Sequence, residues 1–194
     1  MAATTETSTR TRILDTAERL VQLRGFNGFS YADVAAEVGV TKASLHYHFP
    51  GKAELGAALV ARYTERFDAE LDRIDAGRLA PPDKLSAYAA LYAAVLREKR
   101  MCLCGMLAAE YETLPAPMRE AILDFFDRNQ AWLCAVMENG RADQSMRFAG
   151  TAEDEAQTLL GGLEGAMLVA RPYRDLARFE AVAGRLIAGV TGTR

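Results

Sequence analysis

The sequence predicts an all-α protein of about nine helices, and three observations lead to this prediction. No segment alternates apolar and polar residues with β-branched enrichment between turn signals. Apolar residues instead recur every three or four positions along most of the 194-residue chain. Glycine and proline separate these periodic segments, notably at Gly25, Gly39, Pro50-Gly51 and Pro172.

The first predicted helix contains an apolar stripe and ends before Gly25. Its stripe consists of Ile13, Leu14, Ala17, Leu20 and Val21. The polar residues before it, 1–9, are expected to be disordered. The second helix begins after Ser30, which with Asp33 resembles a capping box, and it runs to Val38 before Gly39.

The third predicted helix begins after Thr41, a second N-cap candidate, and extends only to about Phe49. Pro50 sets this limit, because a residue before proline is disfavoured in the helical conformation. These three helices form the first predicted domain, residues 1–55.

The second predicted domain covers residues 56–194, and its first helix, 56–76, links the two domains. Apolar residues repeat there every four positions, at Leu55, Leu59, Tyr63, Phe67 and Leu71. Five further helical patterns cover residues 84–100, 103–112, 117–139, 152–170 and 175–190.

Composition and charge narrow the class of protein. No run of some eighteen uncharged apolar residues suggests a membrane span, and the polar start lacks the apolar centre of a secretory signal. We therefore expect a cytoplasmic protein without a membrane partner. Three cysteines, an odd number, favour free thiols over a disulfide framework.

The net charge of −3 is unevenly distributed, since residues 1–66 carry +1 and residues 67–194 carry −4. This difference is small, so any basic surface must be local.

The third predicted helix contains most of the residues that could contact DNA. Two short helices joined at a glycine bend match a helix-turn-helix, in which the second helix enters the DNA major groove. Val38, Leu45 and Phe49 are expected to face inward. We assign base-edge contacts to Lys42, Ala43 and His46, and phosphate contacts to Ser30, Tyr31, Thr41, Ser44, Tyr47 and Lys52.

Two other interpretations of this helix are weaker. It could be a solvated cap with incidental aromatics, but the combined spacing disfavours that. A metal site at His46 and His48 is disfavoured because positions i and i+2 of a helix point in nearly opposite directions. We expect no metal ion and no cofactor.

Residues 13–55, ILDTAERLVQLRGFNGFSYADVAAEVGVTKASLHYHFPGKAEL, resemble the tetracycline-repressor (TetR) family of bacterial transcription regulators. The ordered series from the first stripe through Gly39-Val40, Leu45, Phe49 and Lys52-x-Glu54-Leu55 carries the resemblance. His46 departs from it, because the family usually has a tyrosine there. Residues 101–133 look like one branch of the family's C-terminal domains.

The resemblance implies a homodimeric repressor that binds a pseudo-palindromic double-stranded DNA operator and is released by a small, apolar effector. The expected effector pocket among the later helices contains aromatic and sulfur-containing side chains, although such residues at helical spacing also build ordinary cores. These residues are Tyr63, Phe67, Tyr88, Tyr92, Cys102, Met106, Tyr111, Phe126, Trp132 and Met167.

Cys102 and Cys104 allow two alternatives. Thiols near Arg97, Lys99 and Arg100 could sense electrophiles or oxidants, although free cysteines often only fill space. A cysteine-dependent enzyme would need a base, and neither histidine lies near the cysteines in sequence, which leaves a carboxylate such as Glu110. A zinc site is disfavoured because the cysteines and histidines lie on separate segments.

The segment TLLGGLEGAMLVA contains three glycines inside a predicted helix, each less favourable than alanine by roughly 1 kcal/mol. Close approach of another helix would offset that cost, and the family pairs its last two helices across a two-fold axis. We expect a dimer interface that includes Gly161, Gly162, Gly165, Phe179, Leu186 and Ile187; the alternatives are that the glycines serve packing within the chain or ligand access.

Overall fold

The computed structural model describes residues 8–192, and within that range it contains nine α-helices, one 3₁₀ turn and no strand. The helices are α1 (Thr9–Arg24), α2 (Tyr31–Val38), α3 (Lys42–His48), α4 (Lys52–Ala76), α5 (Pro81–Arg97), α6 (Leu103–Ala108), α7 (Ala116–Ala142), α8 (Ala152–Tyr173) and α9 (Leu176–Thr191). The all-α prediction is therefore confirmed.

The chain start differs in part from the expectation of disorder over residues 1–9. Residues 1–7 lie outside the described residues, so that expectation stays a prediction for them. Ser8 caps α1, because its hydroxyl accepts a hydrogen bond from the backbone N–H of Thr11 at 3.2 Å. The helix thus begins ahead of its apolar stripe.

Proline has different effects at two helix ends. Phe49, which precedes Pro50, leaves the helical region with φ −142° and ψ 110°, as predicted. Pro172 does not break α8, which continues to Tyr173; the chain turns instead at Arg174, whose φ is 51°. The predicted sixth helix is also shorter, because α6 ends at Ala108 and a 3₁₀ turn follows at Tyr111–Thr113.

The first three helices share one apolar core. The stripe of α1 is buried, and Val38, Leu45 and Phe49 are buried with it, as the sequence predicted. Helix α4 leaves this head and packs against α7, while α8 packs against both α7 and α9. The fold therefore places a small three-helix head on a larger helical body.

A buried carboxylate joins the head to the linking helix. Glu18 of α1 is 5% exposed, and its oxygens accept hydrogen bonds from Arg62 Nη2 at 2.7 Å and Arg66 Nη1 at 2.9 Å. Arg62 also donates to Asp15 at 2.7 Å. This cluster fixes the middle of α1 to the first half of α4.

Replacing Glu18 with glutamine should lower the free energy of unfolding by about 2 kcal/mol. The reason is that Arg62 and Arg66 would lose the negatively charged carboxylate to which both donate hydrogen bonds. Urea unfolding at fixed protomer concentration measures this change. Glu70→Gln is the matched control, since its pair with Arg73 is solvent-exposed and is worth less than about 0.5 kcal/mol. Equal unfolding midpoints for the two variants would contradict the proposed role of Glu18.

Candidate functional site

Local hydrogen bonds set the geometry of α2 and α3. Ser30 and Asp33 form a full capping box, with the Ser30 N–H donating to Asp33 at 2.6 Å and the Asp33 N–H donating to Ser30 at 3.2 Å. Gly39 ends α2 in the left-handed region, at φ 74°. The Thr41 hydroxyl then accepts from the Ser44 N–H at 3.1 Å and begins α3. The predicted helix-turn-helix is present.

The outer side of α3 is open. Lys42, Ala43 and His46 are exposed, and Tyr47 is 85% exposed. At about 100° per residue these positions fall within about 140° of the helix circumference, so they lie on the same side of the helix. All three predicted base-reading residues therefore share one exposed surface with Tyr47, which we call the α3 face (Lys42, Ala43, His46 and Tyr47).

His46 has one ring nitrogen already occupied. Its Nδ1 lies 3.0 Å from the carbonyl oxygen of Pro50, and its ring packs on Tyr31 with centroids 5.0 Å apart. A carbonyl only accepts hydrogen bonds, so Nδ1 must be the protonated nitrogen. In the neutral ring Nε2 is then left as an acceptor.

The predicted phosphate ligands fall into two groups. Ser30, Thr41 and Tyr47 are exposed and Ser44 is half-buried. Tyr31 is instead part of the head, since its hydroxyl donates to the carbonyl oxygen of Phe49, and burial raises its pKa to about 12.

Lys52 is likewise engaged within the head. Its ammonium donates to the carbonyl oxygens of Phe26 and Phe29 at 2.5 Å each and lies over both of their rings. Burial lowers the pKa of Lys52. Phosphate contact by Tyr31 or Lys52 stays a prediction, because both groups already have protein partners.

Two arginines at the start of α1 contact the ends of α2 and α3, and the sequence assignment did not include them. The guanidinium of Arg10 lies 5.0 Å from the centre of the Phe49 ring, and Arg12 donates to the carbonyl oxygen of Val38 at 2.5 Å. Both side chains are exposed. The signal in the sequence was the pair of arginines at a helix start, but only the fold brings Arg10 to the end of α3 and Arg12 to the end of α2.

Most of the predicted effector-pocket residues form one aromatic cluster in the body. Ring centroids lie 5.2 to 6.2 Å apart in a connected set that packs around Phe67 and Phe125. We call this set the aromatic cluster: Tyr63, Phe67, Tyr88, Tyr92, Phe125, Phe126 and Trp132. Met167 is fully buried in the same core.

Polar groups within the aromatic cluster are hydrogen-bonded. The Tyr88 hydroxyl donates to Asn129 Oδ1 at 2.8 Å and lies 3.0 Å from the Tyr92 hydroxyl. Asn129 is fully buried and donates to the carbonyl oxygen of Phe125 at 2.7 Å. Sequence reasoning missed Asn129, because a lone asparagine in a helix gives no signal of its burial.

Two predicted pocket residues have neighbours outside this cluster. Met106 lies near Arg171, with 3.3 Å between its sulfur and Nη1. Tyr111 lies under the guanidinium of Arg119, 5.8 Å from its ring centre. These two residues are therefore weaker candidates for a shared pocket.

The cysteines of α6 are buried beside a carboxyl group. Burial raises the pKa of the Cys102 and Cys104 thiols well above the usual value, and the nearby Glu164 carboxyl raises it further. Tyr63 donates to Cys102 Sγ at 3.7 Å. Among residues 8–192, no group of three or more histidine, cysteine or acidic side chains could hold a metal ion.

Glu164 of α8 carries a further buried polar group that the sequence did not reveal, although the residue as a whole is half-buried. Its Oε1 is buried and accepts no hydrogen bond from any described residue. Burial raises the pKa of Glu164 to about 7, and a hydrogen bond from Cys102 partly opposes this change. This carboxyl is therefore costly to ionise in the folded protein.

The glycines of α8 differ in their surroundings. A side chain at Gly162 would meet Leu186 of α9 at 2.6 Å, so this glycine serves packing within the protomer. At Gly161 and Gly165, no atom of residues 8–192 lies within 4 Å of the corresponding position. Of the other predicted interface residues, Phe179 is buried in the protomer, while Leu186 and Ile187 are half-buried.

The open glycines lie on a surface with several exposed large apolar residues. Leu168 and Val169 of α8 are 62% and 59% exposed, Tyr173 is 61% exposed, and Val182 of α9 is 42% exposed. We call this surface the α8/α9 face: Gly161, Gly165, Leu168, Val169, Tyr173 and Val182. Within the described residues, no helix combines the length and the apolar character needed to cross a membrane.

Comparisons with known proteins cover both parts of the chain. Residues 13–59 match the family described as bacterial regulatory proteins, tetR family, and residues 81–185 match the tetracyclin repressor-like C-terminal domain. The crystal structure of a TetR-family transcriptional regulator from Agrobacterium tumefaciens is 32% identical, with a TM-score of 0.91 over 94% of this chain and 97% of that one.

Two curated regulators are also similar. The transcriptional repressor NemR of Escherichia coli is 29% identical over 183 residues, which are 91% of this chain and 90% of NemR. The regulator LmrA of Bacillus subtilis is 27% identical over 82% of this chain and 85% of its own length.

The stability of the fold should fall as pH rises from 4.5 to above 7, in part because of Glu164. Its folded pKa lies above its ordinary value of 4.5, so its contribution is complete below pH 4.5 and is lost as pH passes 7. Glu164→Gln should remove this loss, which is on the order of 3 kcal/mol by pH 8. Urea unfolding at several pH values measures it.

Glu153→Gln is the control for this measurement, because Glu153 is exposed on the same helix. It should leave the pH dependence unchanged. If Glu164→Gln and the wild type lose the same stability between pH 4.5 and 8, the buried carboxyl is not the titrating group.

Proposed function

Because the chain belongs to the tetR family of bacterial regulatory proteins, we propose that it is a transcriptional repressor that leaves its DNA operator when a small-molecule effector binds. A DNA-binding regulator is what the family and the similar repressors support. The observation that carries the proposal for this chain is the α3 face. It is the exposed side of α3, whose opposite side packs into the core of the head.

The α3 face offers complementary hydrogen-bonding groups to the major groove. The Lys42 ammonium donates to guanine O6 or N7, and Ala43 packs on a thymine methyl group. His46 offers Nε2 as an acceptor, which suits the exocyclic amino group of adenine or cytosine. The hydroxyls of Thr41, Ser44 and Tyr47, with the Arg10 guanidinium, contact phosphates and set the position of α3 on the duplex. The Ser30 hydroxyl already donates to Asp33 at 2.8 Å, so Ser30 is a weaker candidate.

The active species is a homodimer built on the α8/α9 face. Exposed Leu168, Val169 and Val182 beside two open glycines form an apolar surface that a second copy would cover. Two-fold symmetry then presents two α3 helices to a pseudo-palindromic operator, with half-sites about 35 Å apart or more. A regulator that binds an operator must lie in the compartment that holds the DNA, so the proposed function includes a cytoplasmic location.

The effector acts on the body, and α4 carries the change to the head. Helix α4 contributes Tyr63 and Phe67 to the aromatic cluster and also holds Glu18 of the head. A ligand that preferred a different packing of the body would change the angle of α4 and the separation of the two heads. The DNA-competent state would then lose population.

The alternatives based on the cysteines receive less support. The Cys102 and Cys104 thiols are buried, and their raised pKa opposes the thiolate form that reacts with electrophiles. A cysteine enzyme would need Glu110 as its base, but that carboxylate accepts hydrogen bonds from the backbone N–H groups of Phe26 and Asn27. The proposed function requires no catalysis.

Selection of bound fragments from the source genome should return a pseudo-palindrome, and Lys42→Ala should weaken binding to it by about 1–3 kcal/mol. The same variant should relax sequence preference at one position of each half-site. Fluorescence anisotropy with the operator and a scrambled duplex measures both effects. Lys84→Ala, on α5 and paired with Asp75, is the control. An equal loss on both duplexes would exclude base reading by Lys42.

Gly165→Leu should raise the dimer dissociation constant at least about tenfold, because the protomer has room for the side chain but a close helix contact does not. Sedimentation velocity over a range of concentrations measures the change. Ala94→Leu, at an exposed position of α5, is the matched control and should leave the dimer intact. An unchanged dimer in Gly165→Leu would mean that the two-fold interface lies elsewhere.

A further inference from the structure

A cavity of about 880 Å³ lies where the end of α1, the end of α5 and the junction of α8 with α9 meet. It lies outside the aromatic cluster and shares none of its residues. Its apolar walls include Leu23, Leu96, Leu168 and Leu176. This volume falls within the range of about 300–1,000 Å³ that is typical of small-molecule sites.

Four cations line this cavity, which we call the junction cavity. They are Arg97, Lys99, Arg171 and Arg174, and Asp175 is the acidic residue beside them. The oxygens of Asp175 are engaged on its own helix, by the N–H of Ala177 at 3.0 Å and by Arg178 at 3.4 Å. The cavity is therefore positive in a chain whose net charge is −3.

Three of the four cations have no acidic partner. Arg97 lies 3.3 Å from Glu180, whereas no carboxylate of residues 8–192 lies within ion-pair distance of Lys99, Arg171 or Arg174. Arg171 is half-buried, and its partners among the described residues are neutral: the carbonyl oxygen of Leu23 and the sulfur of Met106. An anion in the cavity would supply the missing charge.

We propose that the junction cavity binds an amphipathic organic anion, with its acidic group against Arg171 and the neighbouring cations and its apolar body against the four leucines. The ligand is a small molecule with one carboxylate and a hydrocarbon portion. Neither half of the cavity alone gives this preference, because leucines do not select for charge and exposed cations do not select for a chain.

The junction cavity also touches the connection between the body and the head. Arg171 donates to the carbonyl oxygen of Leu23, in the last turn of α1. A carboxylate that drew Arg171 toward itself would weaken this bond and change how α1 is held. The regulatory consequence rests on the proposed function, whereas binding of the anion does not.

Titration calorimetry on the full-length wild type with four probes tests the ligand class. Decanoate should bind at least about tenfold more tightly than decanol, which has the same chain without the charge. Acetate, the acidic group without the chain, and decyltrimethylammonium, the chain with the opposite charge, should both bind more weakly still. Equal affinity for decanoate and decanol would overturn the assignment of an anion.

A charge-matched pair of variants locates the site. Arg97→Gln combined with Lys99→Gln should weaken decanoate binding on the order of tenfold or more, with little effect on decanol. The control removes two charges elsewhere, by Arg73→Gln with Arg128→Gln, at exposed positions of α4 and α7. Equal decanoate affinity in both double variants would place the ligand outside the junction cavity and overturn the proposal.

Operator binding without ligand separates this inference from the proposed function. A protein that binds its operator but shows no preference for decanoate refutes the junction site and leaves the repressor proposal standing. A protein that prefers decanoate but binds no operator refutes the repressor proposal and leaves the junction site standing. Sedimentation of each variant is also required, because Leu168 belongs to the α8/α9 face as well; loss of decanoate binding only where the dimer is lost would overturn the charge argument.

Discussion

The attachment of α1 to the body is the constraint on which the rest of the structure depends. The chain leaves α1 at Gly25 with φ 81°, and the next two backbone N–H groups, of Phe26 and Asn27, donate to the carboxylate of Glu110. A side chain at Gly25 would come within 2.6 Å of that carboxylate. The glycine and the glutamate are thus required together: one lets the backbone turn, and the other satisfies the N–H groups that the turn exposes.

This constraint makes the head respond to two different parts of the body. Glu18 ties the middle of α1 to α4, while Glu110 and Arg171 tie its end to the segments around α6 and α8. If α4 moves relative to α6 and α8, α1 cannot keep both sets of hydrogen bonds unchanged. Packed helices resist small continuous deformation, so the head is expected to shift between discrete positions. A shift between discrete positions is what the proposed control of the head by a ligand requires.

The helix boundaries of the head could be predicted from sequence because the residues that set them are close together in the chain. The capping box at Ser30, the left-handed Gly39, the Thr41 cap and the end of α3 before Pro50 each involve residues within four positions of each other. The buried polar groups of the body could not be predicted in this way, because their burial depends on contacts between helices that are distant in sequence. Nothing near Asn129 or Glu164 in sequence indicates that their polar groups are buried. Helix α8 continues past Pro172 because this proline lies in the last turn of the helix.

Charge pairing within the head explains how an acidic chain can present a surface suited to DNA, as proposed for the α3 face. Asp15 and Glu18 are held by arginines of α4, and Glu37 pairs with Arg19. Asp33 is used as a cap of α2. These carboxylates are therefore neutralised or engaged on the sides of the head where α1, α2 and α4 meet, while Lys42 of the α3 face and nearby Arg10 have no acidic partner among the described residues. Attraction to phosphate falls off within about 8–10 Å at physiological salt. We therefore expect the local arrangement of charge, rather than the net charge of −3, to decide whether the head attracts phosphate.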